Sequence, residues 1–342
     1  MFAPWTLWHN AITDIALHVV APALSWLHLT GMTDSPREIA TALMISAMEV
    51  LIIALLFRPL ESLIPAEQWT HRRYARIDRF YTLLKYFGVL PIFTYLMLQP
   101  FTYEVGQWFG STGSSSGDSQ DSLITLQQLI PWLHGHSVIQ FLIYFALFDL
   151  VYYLIHRLQH AVPWWWALHS LHHSQRQLNC WSNDRDHYLD DLFEVLIISL
   201  VSLLIGVQPV DYALLILTGD LVQIFSHANV RIRFGKVLDK VLVDPRYHRL
   251  HHMRVDPERP HLHDCNFALV FPIWDILFRT ALYNEPLHPC GVDAAEIDAD
   301  NDKGFLGQQG AGLARFWRAL PRMRPRQGGA QVVADNQAGD RA

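Results

Sequence analysis

The chain is poor in charge and in cysteine. Of its 342 residues, 17% are charged and 51% are hydrophobic, a balance typical of membrane proteins. The formal net charge is −6, and without a domain-wide basic face there is no reason to expect nucleic-acid binding. The three cysteines fit neither a CxxC pattern nor a disulfide framework. We interpret them as reduced thiols on a cytosol-facing side of a membrane.

Five apolar segments are candidates for membrane helices, because a helical span needs about 20 residues. The first contains several polar residues and could span the bilayer or lie at its interface, and the last is split by GVQP into two short limbs of a helical hairpin. The segments are 11–30, 41–57, 80–98, 137–155 and 192–226. We predict an all-α integral membrane protein with about four to six membrane helices, counting the short hairpin, and a cytoplasmic helical cap.

Basic residues in short loops predict the orientation of these helices. Residues 58–79 include the sequence HRRYARIDR, whereas residues 99–135 contain no lysine or arginine and include the polar stretch GSTGSSSGDSQD. We therefore predict that 58–79 is cytoplasmic and 99–135 external. Both ends of the 192–226 hairpin then lie on the cytoplasmic face. The expected location is a bacterial inner membrane, or the endoplasmic reticulum if the source is eukaryotic.

Composition divides the chain into three predicted domains. Residues 1–135 carry the N-terminal membrane helices and a polar external loop. Residues 136–284 are the predicted catalytic domain, and their histidines are described next. Residues 285–342 lose apolar periodicity, and we predict a polar, largely disordered tail.

Histidines are crowded into one part of the chain. Twelve of the nineteen fall between positions 156 and 263, and three short sequences carry most of them: HRLQH from 156, HSLHH from 169 and HRLHH from 248. Residues three and four apart share a helix face, so each sequence can direct imidazoles to a common point. Eight imidazoles are too many for one ion, and two metal ions with four or five imidazoles each account better for the count.

The residue types narrow the choice of metal. Neutral imidazole suits zinc, copper, iron and nickel. Structural zinc sites often include cysteine, haem needs only one or two axial histidines, and neither pattern fits these clusters. A non-haem di-iron site open to oxygen fits best, although spacing places iron only modestly ahead of zinc.

The three histidine sequences, in this order and after membrane helices, resemble the fatty acid hydroxylase/sterol desaturase superfamily of membrane histidine-box enzymes. The short elements NDRDH (183–187) and FSHANV (225–230) are similar to family elements, as is the closing stretch DCNFALVFPIWDILFRT (264–280). Tyr188 replaces the usual proline, and Ala268 and Arg279 replace usual glycines. The resemblance covers roughly residues 140–281.

The resemblance implies an oxygen-dependent lipid hydroxylase or desaturase that uses two non-haem iron ions, with zinc possible in isolated protein. Electrons would come from a ferredoxin- or cytochrome-b5-like donor, and the active site would face the cytoplasm. It implies no catalytic residue beyond the metal ligands. The implied ligands are His156, His160, His169, His172, His173, His187, His227, His248, His251 and His252.

Carboxylates near the histidine sequences are candidates to hold the outer ring nitrogens of metal-bound imidazoles. Asp149 lies within an apolar span seven residues before His156, and Asp244 lies four residues before His248. An acid inside a membrane span is a functional-site hypothesis by default. We predict that Asp149 and Asp244 have this supporting role.

Two other functions use the same residues. A membrane metal transporter or metal-storage protein would pass or hold ions, but its sites would lie near the bilayer midplane. The second alternative is a zinc-dependent lipid hydrolase. A metal-dependent hydrolase would not need a nucleophile elbow, and none is present. The sequence does not decide whether the reaction is hydroxylation or desaturation, and it does not give the oligomeric state. The substrate could be a sterol, a fatty acyl chain, a carotenoid, an ether lipid or an aminolipid.

Overall fold

The computed structural model describes residues 4–30, 35–69, 72–87, 126–205, 209–256, 258–259 and 264–321. Within these residues the regular structure is helical, apart from two isolated β-bridges, which confirms the all-α prediction for this part of the chain. The α-helices are α1 Pro4–Ile15, α2 Ala21–Trp26, α3 Pro36–Ile52, α4 Arg58–Leu63, α5 Arg72–Phe87, α6 Leu126–Leu129, α7 Ser137–Ala161, α8 Pro163–His173, α9 Tyr188–Ile205, α10 Pro209–His227, α11 Gly235–Leu238, α12 Pro245–His251, α13 Ile273–Phe278, α14 Ala295–Asp298 and α15 Phe305–Ala319.

Two helices in the described residues are long and apolar enough to cross a membrane. One runs through α3, a π-helical turn and α4 for 28 residues, and the other is α7 with 25 residues. At 1.5 Å per residue they reach about 42 and about 37 Å, more than the roughly 30 Å hydrocarbon core. α3 starts with a capping box between Ser35 and Glu38. The predicted number of four to six membrane helices and the cytoplasmic cap remain predictions.

The other apolar segments are shorter or only partly described. Residues 11–30 lie in α1, a π-helical turn and α2, which ends at Trp26. The segment 80–98 begins within α5, but its part after Phe87, like the polar stretch at 110–121, lies outside the described residues. The expected hairpin consists of α9 and α10, and its connection at 206–208 is also outside them.

The chain forms two compact units. One contains residues 1–56 and 83–117, and the other contains 57–82 and 118–342. In the first unit, α1, α2 and the turn between them pack on α3 through a small apolar core that includes Val20, Leu24 and Ala40. The predicted domain limits at 135 and 284 do not coincide with these units and remain predictions.

The core of the second unit is built around α7. Aromatic and aliphatic side chains from α7, α8, α9, α10 and the irregular stretch near 270 form it: Tyr144, Phe145, Phe148, Ile155, Trp165, Ile198, Leu215 and Val270. Burial of these side chains removes apolar surface from water and fixes the four helices against one another. The last turns of α7 and α8, where histidines begin to appear, are thereby held on a rigid scaffold.

The prediction of a largely disordered tail from residue 285 is wrong for the part that the structure describes, which extends to residue 321. The last helix, α15, packs on α8 through Phe316, Ala167 and Leu168. Arg315 donates a 2.6 Å hydrogen bond to the fully buried Asp300. Arg315 also donates to the carbonyl of Ala167 at 3.3 Å. The order of this segment thus depends in part on α8, which is far away in the sequence.

Candidate metal centre

The end of α7 supplies the first two histidines of the centre. His156 and His160 are four residues apart on one helix face, and each is only 5% exposed. α7 ends at Ala161, and Pro163 starts α8, where the missing N–H of proline costs no helical hydrogen bond. The chain therefore begins a new helix almost at once and brings the next histidines close to the first pair.

Adjacent histidines point in different directions because successive residues on an α-helix are about 100° apart. The pair His172 and His173 ends α8, and the pair His251 and His252 ends α12. In each pair, one imidazole faces one cluster of ring nitrogens and its neighbour faces a second cluster. The doubled histidine in each HxxHH sequence thus supplies one imidazole to each cluster.

Eight imidazoles form two clusters, each with four ring nitrogens within 4.8 Å of one another. Group A is His156, His160, His173 and His251. Group B is His172, His227, His248 and His252. All eight side chains are buried.

The Nε2 atoms face one another inside both groups. In group A, His173 Nε2 lies 3.0 Å from His160 Nε2 and 3.1 Å from His251 Nε2. In group B, His227 Nε2 lies 3.1 Å from His172 Nε2 and 3.0 Å from His248 Nε2. Nitrogens bound to one ion at about 2.0–2.1 Å are separated by roughly 3 Å, so both groups match the spacing of a ligand set.

The tautomers of three histidines indicate that these Nε2 atoms carry lone pairs. His156, His251 and His227 place Nδ1 within 2.7–2.8 Å of the main-chain carbonyls of Phe267, Cys265 and Gln223. A carbonyl can only accept, so Nδ1 carries the proton and Nε2 is an unprotonated acceptor. Lone pairs directed into a shared buried space repel each other unless a cation lies between them. The residues therefore fit two metal ions.

Electrostatics favour the neutral imidazole that a metal requires. Burial lowers the pKa of His172, His173, His248, His251 and His252 well below the ordinary value, and the neighbouring imidazoles lower it further. A buried imidazolium among other histidines would be both desolvated and repelled. These side chains are thus unprotonated at neutral pH, ready to bind a cation.

Three carboxylates lie beside outer ring nitrogens. Asp264 Oδ1 lies 3.2 Å from His160 Nδ1 in a hydrogen bond, and Asp186 Oδ1 lies 3.0 Å from His172 Nδ1 without the geometry of one. Asp190 accepts from His169 Nδ1 at 3.0 Å and also from the Trp165 indole at 2.6 Å. Partners of this kind fix the orientation of a metal-bound imidazole.

The supporting role expected of Asp149 and Asp244 stays a prediction, and the hydrogen bonds that the structure shows for both go to backbone groups. Asp149 accepts from the backbone N–H groups of Val270 and Phe271, both at 2.9 Å, because seven helical residues place it about 10 Å along the axis from His156. Asp244 caps α12 by accepting from the N–H of Tyr247 at 2.8 Å. Both aspartates position the scaffold and neither contacts an imidazole through these bonds.

Two implied ligands lie outside the two groups. His169 lies beside both, with ring centroids 5.0–5.3 Å from four of the grouped rings, and its Nε2 is buried without a hydrogen-bond partner among the described residues. His187 Nε2 lies 2.9 Å from the carbonyl of Gln309, and its Nδ1 accepts from the N–H of Leu189 at 3.1 Å. Both nitrogens of His187 are already used, so we leave it out of the ligand set proposed below.

Asp186, Asp190 and Asp264 flank the histidine sequences, but sequence reasoning did not select them. A local signal existed for two of them, since Asp186 and Asp190 are four residues apart and straddle the start of α9. The role of Asp264 depends on a positive φ of 59°. That backbone conformation is compatible with Asp and Asn and could not be inferred from spacing.

Comparison with known proteins adds to this geometry. The family model for fatty acid hydroxylase matches residues 141–280, the stretch that contains both groups. Residues 141–280 form a fatty acid hydroxylase domain. The resemblance in the histidine sequences is therefore confirmed for this part of the chain, and the domain supplies all eight grouped imidazoles.

Curated relatives of the fatty acid hydroxylase domain have names that refer to lipids. The chain is 31% identical over 166 residues to ornithine lipid hydroxylase OlsE of Rhizobium tropici, which is 48% of either chain. It is 33% identical over 132 residues to alkylglycerol monooxygenase of Homo sapiens, 39% of this chain and 28% of that protein. The matched part is thus less than half of each relative. No solved structure matches the chain.

Proposed function

We propose that the chain is a membrane-bound monooxygenase that hydroxylates a C–H bond of a membrane lipid. The substrate and O2, together with two electrons and two protons, would yield the hydroxylated lipid and water. The observation that carries the proposal is the pair of four-imidazole groups within a fatty acid hydroxylase domain. A ferredoxin- or cytochrome-b5-like protein is the proposed source of the electrons, and the site is proposed to face the cytoplasm.

The ligand chemistry favours two iron ions over zinc. Four imidazoles complete a tetrahedral zinc site and leave no open position, which is typical of structural zinc. Iron binds imidazole well and can take further ligands. When bound, two iron ions would supply the activation of O2. The proposed ligands are the eight histidines of groups A and B, with His169 as a candidate additional ligand.

The residues around the ions would fix their geometry and exclude water. Backbone carbonyls of residues 223, 265 and 267 hold three imidazoles in one tautomer. Asp264 and Asp190 each hydrogen-bond one further imidazole, and Asp186 lies 3.0 Å from Nδ1 of His172. The grouped imidazoles are each at most 6% exposed, so a reactive site formed there would be shielded from bulk solvent.

A cleft in the second unit is the proposed path for the lipid chain. It lies between α7 and α10, is lined by apolar residues that include Phe148, Leu215 and Val270, and encloses about 20 Å³. That is room for about one water molecule, so the cleft would have to widen to admit a lipid chain. Gln223 lines its edge, and the carbonyl of the same residue accepts from His227 in group B. An acyl or alkyl chain in this cleft would therefore approach group B. The names of the relatives support a polar membrane lipid as the substrate.

The first test compares lipids from a host that produces the protein with lipids from a host that produces His172→Ala. We expect a lipid heavier by one oxygen atom only with the unchanged protein. His18→Ala, at an exposed histidine, is the control and should retain the product. The same lipid profile for all three proteins, with iron bound and a donor supplied, would refute the proposal.

The cleft is tested at Gly219. A Cβ there would lie 3.9 Å from Phe145 Cε2, an ordinary contact, so Gly219→Ala should retain turnover and serves as the matched control. Gly219→Leu would extend into the cleft and should lower turnover of a long-chain lipid by roughly tenfold or more, since small misplacements at a reacting centre have large effects. Both variants should bind two metal ions. Full turnover by Gly219→Leu would show that the substrate uses another route.

A further inference from the structure

The segment 231–241, between α10 and α12, combines exposed basic and exposed apolar side chains. The segment contains four basic residues and one acidic residue: Arg231, Arg233, Lys236 and Lys240, and Asp239. Between them Val237 is 79% exposed, Val241 51% and Leu238 44%. This local positive charge contrasts with the net charge of −6 of the whole chain. Exposed apolar side chains between basic ones are the pattern of a segment that lies on an anionic membrane surface.

The backbone fixes where this segment begins. The N–H of Arg231 donates to the carbonyl of Ile64 at 2.9 Å, and Val230 forms a β-bridge with Pro65. Ile64 directly follows the last turn of the 28-residue membrane helix that ends at Leu63. The segment therefore starts beside the end of this candidate membrane helix, just past the apolar segment 41–57.

A second apolar helix ends at the same level. α10 ends at His227, three residues before the bridge, and its apolar part is Leu214–His227. Phe225 of α10 stacks on Phe234 of the segment with ring centroids 6.0 Å apart. Phe57, at the start of α4, also contacts Phe225 at 5.8 Å. Two helix ends thus hold the segment beside the membrane boundary.

The geometry points to residues 231–241 as an interfacial anchor that binds anionic phospholipid headgroups, with Val237, Leu238 and Val241 inserted among the acyl chains. Charge complementarity and continuity with two apolar helices support a lipid surface. An acidic electron-donor protein would be attracted by the same charges, but it would not require exposed aliphatic side chains beside a helix exit. The anchor does not depend on metal binding or on the proposed reaction.

The test uses the full chain in lipid nanodiscs. A fluorophore that reports polarity is attached at Val237→Cys, and the three native cysteines are buried, so labelling is selective. Ala294→Cys, at an exposed residue between the acidic Asp293 and Glu296, is the control. The discs contain phosphatidylcholine with or without phosphatidylglycerol, and some carry nitroxide-labelled acyl chains as a quencher.

We expect nitroxide quenching and a blue shift at position 237 in discs with phosphatidylglycerol, weaker in its absence and at high salt. Position 294 should show neither effect. Each basic residue contributes roughly fivefold to attraction by an anionic surface, so Lys236→Gln combined with Lys240→Gln should weaken the preference by roughly 25- to 30-fold. A His172→Ala background should give the same result.

Three outcomes would overturn the proposal. The first is an aqueous, unquenched probe at position 237 in both lipid compositions. The second is equal quenching at positions 237 and 294, which would mean that the probe does not report a specific contact. The third is shielding at position 237 only after addition of an acidic redox protein, which would identify the segment as a protein-docking surface.

Discussion

The two histidine groups contain the same number of imidazoles but are supported differently. In group A, Nδ1 of His156, His160 and His251 has a backbone or carboxylate partner. In group B, Nδ1 of His248 and Nδ1 of His252 are buried without a hydrogen-bond partner among the described residues. The protein therefore orients group A more fully than group B.

This difference suggests a division of roles under the proposed function. Group A depends on the stretch 264–267, which supplies two carbonyls and one carboxylate. Group B adjoins the apolar cleft through Gln223. A less restrained site beside the cleft can adjust its ligands as a substrate arrives, whereas a site held by the backbone keeps a fixed geometry.

The largest expected effect comes from removal of one ligand from each group. His251→Ala and His248→Ala should each reduce lipid hydroxylation to background, because the proposed chemistry needs both ions. We expect each variant to retain about one metal ion per chain, measured by elemental analysis of protein purified in detergent. A variant that kept two ions and full activity would exclude that histidine from the ligand set.

The second largest effect is expected at Asn266, which lies within the stretch 264–267 that holds three imidazoles of group A. Its side-chain amide donates to the carbonyls of Tyr247 and Leu282, each at 2.9 Å, and its φ is +56°. Asn266→Ala should lower the free energy of unfolding by about 3 kcal/mol, from lost hydrogen bonds and backbone strain. It should also weaken metal binding at group A more than at group B.

Asn266→Gly is the matched control, because glycine accepts a positive φ without strain. It should therefore be less destabilised than Asn266→Ala in thermal unfolding. Equal loss of stability in the two variants would assign the whole effect to the hydrogen bonds. A loss of metal from group B alone would contradict the assignment of this stretch to group A.

A smaller effect is expected when one supporting carboxylate is replaced in each group. Asp264→Asn acts on His160 and Asp186→Asn acts on His172. Loss of such a partner typically lowers metal affinity 10–100-fold. Chelator titration should show weaker binding of one ion in each variant. Because group B has fewer partners, Asp186→Asn should release its ion at the lower chelator concentration, and the reverse order would contradict the comparison.

The smallest effect is expected at His187. His187→Gln retains a donor for the carbonyl of Gln309 and should cost about 1 kcal/mol of stability, the usual value of one hydrogen bond. Two metal ions per chain should remain. Loss of an ion from this variant would return His187 to the ligand set.

Helical spacing in the three histidine sequences predicted seven of the eight grouped histidines, because it determines which side chains share a face. His227 was implied only by the family resemblance, and His169 lies outside both groups. The groups that hold the outer ring nitrogens of these imidazoles could not be predicted from the sequence. Asp149 is close to His156 in sequence but its carboxylate faces the backbone near residue 270. Asp264 reaches His160 across 104 residues, a contact that depends on tertiary packing.

The folded C-terminal segment was also missed for a physical reason. α15 buries Gln308, Gly312, Arg315 and Phe316, whereas Leu306 on the same helix is 80% exposed. The packed face is mostly polar and pairs with buried partners such as Asp300. The apolar face of α15 includes the exposed Leu306 and Trp317. Apolar periodicity, the main signal of an amphipathic helix, therefore did not indicate the face that makes these contacts.

The central claim is that groups A and B each bind one iron ion through imidazole nitrogen. X-ray absorption at the iron edge of the purified full-length protein, combined with its iron content, tests this directly. We predict about two iron ions per chain, with several nitrogen ligands at roughly 2.0–2.2 Å, close to the metal–imidazole distances known for zinc, and an imidazole scattering pattern that weakens in His251→Ala and in His248→Ala. A single iron ion per chain, or a ligand shell dominated by sulfur or by carboxylate oxygen, would contradict the claim.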